Sequence, residues 1–155
     1  MERKTKVNAE PSKHDIIITR EFELPLELLF KAYTEPEIIE QWMGNKVLKH
    51  ESKKHGSYQF ETRDAEGNVL FKANGVIHDF VENEKIVRTF EMENMPFPAQ
   101  LEFLEFEKTG ADSSRLQIQI VFKSVADRDQ MLKLPFANGI NMAHNRLQEI
   151  AKNLK

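Results

Sequence analysis

The chain has 155 residues, with 22 Lys and Arg against 25 Asp and Glu, and carries a net charge of -3. That length supports one domain with a sizeable core, and the mixed charge offers no basic field to hold a phosphate backbone, so nucleic acid is not an expected partner. The sequence contains no cysteine, which excludes disulfides, thiolate catalysis and Cys-ligated zinc. It contains no apolar run of signal-peptide or bilayer length, so the expectation is a cytoplasmic protein without membrane insertion.

Residues 1–13 are polar and aperiodic and predict a flexible tail, leaving 14–155 as a single domain. From His14 to Leu24, alternation with Ile16, Ile18 and Phe22 on one face predicts a first strand. Pro25 then opens a helical run with Leu26, Leu29, Phe30 and Tyr33 on one face. Thr34 and Glu37 have the spacing of a capping box for a second short helix, with Pro36 near its start, Ile38, Ile39 and Trp42 on its apolar side and Gly44 as its stop.

Six alternating runs follow, near 46–51, 57–63, 69–80, 85–93, 100–108 and 114–123, separated by the turn-forming stretches "KKHG", "DAEGN", "VENE", "NMPFP" and "TGADS". Short connections make them antiparallel neighbours in chain order. From Ala126 to Leu154 the pattern is helical, with Phe136, Ile140, Leu147, Ile150 and Leu154 as the buried stripe and Pro135 and Gly139 as points of interruption. Strand, two short helices, six strands and one long helix make an α+β fold in which the helix can lie across a curved sheet and leave a cavity.

Bringing the strands into register on these turns sets Phe60 against Phe71, Gly75 against Phe90, Phe90 against Phe103, and Phe103 against Ile120. One face then carries Tyr58, Phe60, Val69, Phe71, Ile77, Ile86, Phe90, Met92, Leu101, Phe103, Leu116, Ile118, Ile120 and Phe122; Gln59, Glu61, Thr89, Glu91, Gln117 and Gln119 face solvent. Gly75 in mid-strand predicts a sharp bend or a ring lying over bare backbone. Three polar residues interrupt the inward pattern: Arg88, Glu105 placed across from it, and His144 on the helix stripe. A charge there requires a partner or water, and two readings stand, a structural ion pair at the open end of the sheet or polar anchors for an otherwise apolar ligand. Leu104 and Phe106 add apolar character on the opposite parity, so a bulge would turn Glu105 outward.

The histidines have no metal-ligand spacing, no GxSxG elbow or glycine-rich phosphate loop is present, and neither a metal nor a cofactor is expected. The "MENMPFPAQ" connection reads either as a packed hairpin tip or as a gate at a pocket mouth.

The stretch "ITREFELPLELLFKAYTEPEIIEQWMG", with Arg20, Pro25, Phe30, Glu35, Pro36, Trp42 and Gly44, resembles the opening signature of the family named for the activator of the ninety-kilodalton heat-shock protein ATPase, within the SRPBCC or START-like superfamily. Gly56, Phe60, Gly75 before "VIHDFVENEKIVRTF", and Leu147 extend the resemblance over most of 14–154. It implies a helix-grip fold: a curved seven-stranded antiparallel sheet around a long C-terminal helix, with the two short helices as a plug at one end. The family often has a Gly-Trp pair where the last helix begins; Ile140 after Gly139 implies a larger cavity or a lost stacking surface.

The leading functional expectation is binding of a hydrophobic small molecule, lipid-like, aromatic or polyketide-like, in an internal cavity. The expected lining is Trp42, Phe60, Phe71, Arg88, Phe90, Met92, Phe103, Glu105, Ile120, Phe136, Ile140 and His144, with no residue assigned a catalytic role. The alternatives are a cyclase or hydrolase using His144 and Glu105 as general base and orienting carboxylate, and a protein-interaction module with a chaperone partner.

Overall fold

The computed structural model describes residues 4–93 and 95–154. Eight strands form one antiparallel sheet, in the order β1-β2-β8-β7-β6-β5-β4-β3: β1 (Lys6–Asn8), β2 (Asp15–Phe22), β3 (Lys46–His50), β4 (Ser57–Arg63), β5 (Val69–Val81), β6 (Lys85–Met92), β7 (Gln100–Gly110) and β8 (Ser113–Val121). Helices α1 (Leu26–Thr34) and α2 (Pro36–Met43) join β2 to β3, and α3 (Val125–Leu132) and α4 (Phe136–Ala151) end the chain. Seven of the strands are those expected.

The eighth, β1, falls within the segment predicted to be a tail. It pairs with β2 through Lys6↔Thr19 and Asn8↔Ile17, and Thr5 beside it is buried. Its local sequence is polar, so long-range contacts hold it. Thr5 meets α4, and Arg128 of α3 reaches back through Nη1 to the carbonyl oxygens of Glu10 (2.6 Å) and Asp15 (3.2 Å). Residues 1–3, also in the predicted tail, lie outside the described residues.

The two short helices follow their apolar stripes. Leu29, Phe30, Ala32 and Tyr33 of α1 and Ile39 and Trp42 of α2 are buried, full burial of a Leu, Ile or Phe side chain contributing about 1.5–3 kcal/mol. The expected capping box is absent. Glu35 is the N-cap of α2 without a side-chain cap bond, and the Thr34 hydroxyl donates instead to the Phe30 carbonyl, four residues back in α1. Pro36 at the first helical position, which lacks an N–H in any case, starts the helix. Gly44 ends it in the left-handed region at φ 72°.

Near the C-terminus, the expected single helix is two. The break falls at residues 133–135, where Pro135 is the residue before α4, whereas Gly139 lies inside α4 without interrupting it. Helix α4 packs against α2 and, less extensively, against α1, α3 and β1.

The register departs from expectation at two places. Phe60 faces Ala73, and Phe71 faces Thr62, two residues from the expected pairing, of which a bulge between Thr62 and Arg63, just before the β4–β5 turn, accounts for one. More consequentially, β7 has the opposite parity: Arg88 faces Glu102, Phe90 faces Gln100, and Phe103 faces Gln119. Its inward residues are therefore Gln100, Glu102, Leu104 and Phe106, while Leu101, Phe103 and Glu105 turn outward. The expected Gly75–Phe90 juxtaposition holds, bracketed by Ala73↔Met92 and Ile77↔Arg88. Of the expected outer face, Glu61 is buried, covered by its ion pair with Arg63 at 2.8 Å.

The candidate ligand cavity

A cavity of about 520 Å³ lies between the inward face of the sheet, the α1–α2 plug and the α3–α4 segment. Its floor comes from alternating positions of the central strands: Phe60 of β4, Arg88, Phe90 and Met92 of β6, Gln100 and Glu102 of β7, and Ile118 and Ile120 of β8. Tyr33, Ile39, Trp42 and Met43 close one side, and Met131, Leu134, Pro135, Phe136, Gly139, Ile140 and Ala143 cover it. The volume is in the range that holds drug-sized ligands, and the lining is mostly apolar with a few convergent polar groups, as small-molecule sites are.

Of the twelve residues expected to line such a cavity, eight do so: Trp42, Phe60, Arg88, Phe90, Met92, Ile120, Phe136 and Ile140. Phe103 and Glu105 do not, because the inverted parity of β7 points them away from it, and Glu105 is exposed. Phe71 stands beyond the cavity at the β4–β5 turn end of the sheet. His144 is fully buried behind the wall. Of the described "MENMPFPAQ" residues, Met92 and Gln100 at its two ends line the cavity, the residues between them do not, Phe97 packs against the core as in a hairpin tip, and Asn94 lies outside the described residues.

The plug places the single tryptophan. Trp42 is 4% exposed, its Nε1 donates to the Ala32 carbonyl at 2.7 Å, and its ring lies 5.1 Å from that of Tyr33. Arg146 of α4 donates from Nε to the Trp42 carbonyl at 3.0 Å, tying plug to helix. Trp42 is thus both packed within the plug and cavity-facing.

Arg88 is the buried charge anticipated on this face, and its partner is Glu102, with Nε donating to Oε1 at 2.9 Å. The other carboxylate oxygen, Oε2, accepts from Gln100 Nε2 at 2.8 Å. The Tyr58 ring lies under the guanidinium at 5.3 Å. Burial opposes the charge on Arg88, yet Tyr58, Glu102 and the hydrogen bond to Glu102 carry its pKa above the ordinary guanidinium value. Burial also raises the Tyr58 hydroxyl, which stays neutral, so Glu102 is the effective counter-charge. Nη1 and Nη2 of Arg88 find no acceptor among the described residues.

His144 belongs to a second polar cluster, behind the cavity wall and joined to it through Tyr33. Its Nδ1 pairs with Thr5 Oγ1 at 3.0 Å and its Nε2 with the Tyr33 hydroxyl at 2.9 Å. Arg20 Nη1 donates to Thr5 Oγ1 at 3.0 Å and to Asn145 Oδ1 at 2.9 Å. Burial, reinforced by the Arg20 charge, lowers the His144 pKa to about 3, so the imidazole is neutral at physiological pH. His144 and Glu105 point to different compartments, which removes the acid–base pair considered for a cyclase or hydrolase.

An α+β sheet gripping a C-terminal helix, with a plug of two short helices and an apolar cavity beneath, defines the helix-grip architecture of START-like proteins. The chain belongs to the family described as Activator of Hsp90 ATPase homolog 1-like protein, whose model matches residues 23–152. Solved structures with the same fold include proteins from Mycobacterium smegmatis (TM-score 0.82, 18% identity, 94% of this chain and 95% of that one), from Rhodobacter sphaeroides (0.83, 16%, 97% and 100%), and from Arthrobacter aurescens (0.83, 12%, 96% and 91%). At these identities the likeness defines the fold alone. No curated protein matches the chain. No described helix is long and apolar enough to cross a membrane.

Proposed function

We propose that the protein binds a hydrophobic small molecule in this cavity. The observation that carries the reading is the 520 Å³ space between sheet and helix, walled by apolar side chains around one Arg88–Glu102 pair. A well-packed domain of this size does not keep such a void, since unfilled volume forfeits dispersion and transfer energy. A ligand that buries apolar area there gains roughly 25 cal/mol per Å². The reading requires no catalytic group.

Native mass spectrometry of the protein as purified, compared with denatured spectra, tests it, alongside uptake from a panel of lipids and aromatics. A co-purifying or acquired molecule supports the reading. Site specificity follows from Gly139, which lines the cavity and has nothing within 4 Å of the position a Cβ would take. Gly139→Leu is expected to fold, occupy the space and abolish uptake. Apo protein that refuses the whole panel, or a Gly139→Leu variant that binds as well as the parent, would overturn the reading and turn attention to a chaperone or another protein partner.

A further inference from the structure

We infer that the cavity selects an apolar molecule bearing a neutral carbonyl oxygen, and that Arg88 is the residue that binds this oxygen. The inference rests on the ligand-binding reading above and adds the chemistry of the ligand's polar end.

Three features of the wall define that chemistry. Arg88 lines the cavity with its side chain 13% exposed, spends Nε on Glu102, and has no protein acceptor for Nη1 and Nη2 among the described residues. The wall therefore presents hydrogen-bond donors that an apolar ligand would leave unpaired, at a cost. Both oxygens of Glu102 are engaged already, by Arg88 and by Gln100. Gln100 Oε1 is a neutral acceptor beside them, but Nη1 and Nη2 of Arg88 are the charged groups left to pair, so the group that complements the cluster most strongly is an acceptor.

Charge balance then separates neutral acceptors from anionic ones. Among the described residues lining the cavity, Arg88 and Glu102 are the only charged ones, and they cancel. A ketone, ester or amide oxygen can take a charge-assisted hydrogen bond from Nη and leave the cavity neutral. A carboxylate would form the same bonds but bring an uncompensated negative charge into a largely apolar space beside Glu102, where desolvation is costly. The pair thus favours carbonyl compounds over both hydrocarbons and fatty-acid anions of equal length.

Three matched probes test this at pH 7: nonane, 2-nonanone and nonanoate, titrated with amide NMR shifts and Trp42 fluorescence as readouts. The expected result is 2-nonanone binding about tenfold or more tighter than either of the others, the scale of one hydrogen bond to a charged donor. In the double variant Arg88→Met/Glu102→Gln, which removes both charges together and is checked for folding by its thermal melt, the preference for 2-nonanone over nonane should shrink to about twofold or less. Nonane binding as tightly as the ketone, nonanoate binding tighter, or a double variant that keeps the preference would overturn the inference while leaving cavity binding intact. Should no probe shift any cavity resonance, the ligand-binding reading itself falls and takes this one with it.

Discussion

His144 occupies a position where a charge cannot be accommodated. It is fully buried, held between Thr5 and Tyr33, and close enough to Arg20 for that cation to oppose protonation. Its folded-state pKa of about 3 lies below the ordinary 6.5. Between those values the unfolded chain binds a proton that the folded chain does not. Stability therefore is highest above pH 6.5 and declines as pH falls toward 3, by at most about 1.4 kcal/mol per pH unit from this group. His50, lowered to about 4 by burial and then by Arg88, acts in the same direction. Urea midpoints measured from pH 7 to pH 5 should fall in the parent and fall less steeply in His144→Gln; superimposable profiles would contradict this account. Gly75 makes the opposite kind of demand, for space. A Cβ there would stand 2.0 Å from the Thr89 carbonyl oxygen and 2.5 Å from the Tyr58 hydroxyl, which itself donates to Thr89. The expected ring over bare backbone is Tyr58. Because one of the obstacles is backbone of the neighbouring strand, Gly75→Ala should lower stability by at least about 1–3 kcal/mol, read from the denaturant midpoint.

At the scale of elements, the strands and both early helices were legible because hydrophobic period and turn chemistry agree along the chain. The facing of β7 was not. "LEFLEFEK" offers two nearly equivalent inward sets, Leu101, Phe103 and Glu105 or Glu102, Leu104 and Phe106, each with two apolar residues and one carboxylate. Tertiary contacts break the tie. Leu104 is fully buried, and Phe106 meets Phe30 at 4.9 Å and Tyr33 at 5.8 Å, so the plug needs the apolar pair at that end and leaves the carboxylate near the cavity for Arg88. The inversion is why Glu102 and Gln100 were missed as site residues, and the doubled apolar pattern was the available warning. Strand β1 was invisible for another reason, since beyond its pairing with β2 it is tied down by residues of α3 and α4 more than a hundred positions away. Thr5 is the clearest case: its Oγ1 joins Arg20 to His144, and Arg20 Nε already lacks a partner among the described residues. Thr5→Val should cost about 1–3 kcal/mol by leaving buried groups unpaired, and hydrogen exchange should accelerate first at Lys6–Asn8. A substitution that leaves β1 protection unchanged would mean that the strand is held by its pairing to β2 alone.

For the molecule as a whole, the distribution of packing separates a densely filled part from a looser one over the cavity. The sheet is continuous through eight strands, and its β2–β8–β7 side is filled by Ile16, Ile18, Phe22, Leu104 and Leu116 together with the α1 side chains. The cavity cover is different: it is built from the end of α3, the three-residue joint, and the first turns of α4, where Leu134 is 41% exposed and Gly139 supplies no side chain. Glycine inside a helix also costs about 1 kcal/mol relative to alanine, so this portion of α4 is intrinsically the weaker one. On the ligand-binding reading proposed above, the α3–α4 joint is where the cover would move to admit a molecule, the sheet staying as it is. Saturating a bound molecule at a hundred times its Kd stabilises the folded state by about 2.7 kcal/mol, which for a domain of this size raises Tm by roughly 5–11 °C. Hydrogen exchange should show where that stabilisation is local: amides from Met131 to Ala143 gain protection beyond the global shift, while those of β2 and β8 follow the global shift only. Uniform protection across sheet and cover would place the access route elsewhere, and selective protection at Lys46–His50 would assign it to the β3 edge.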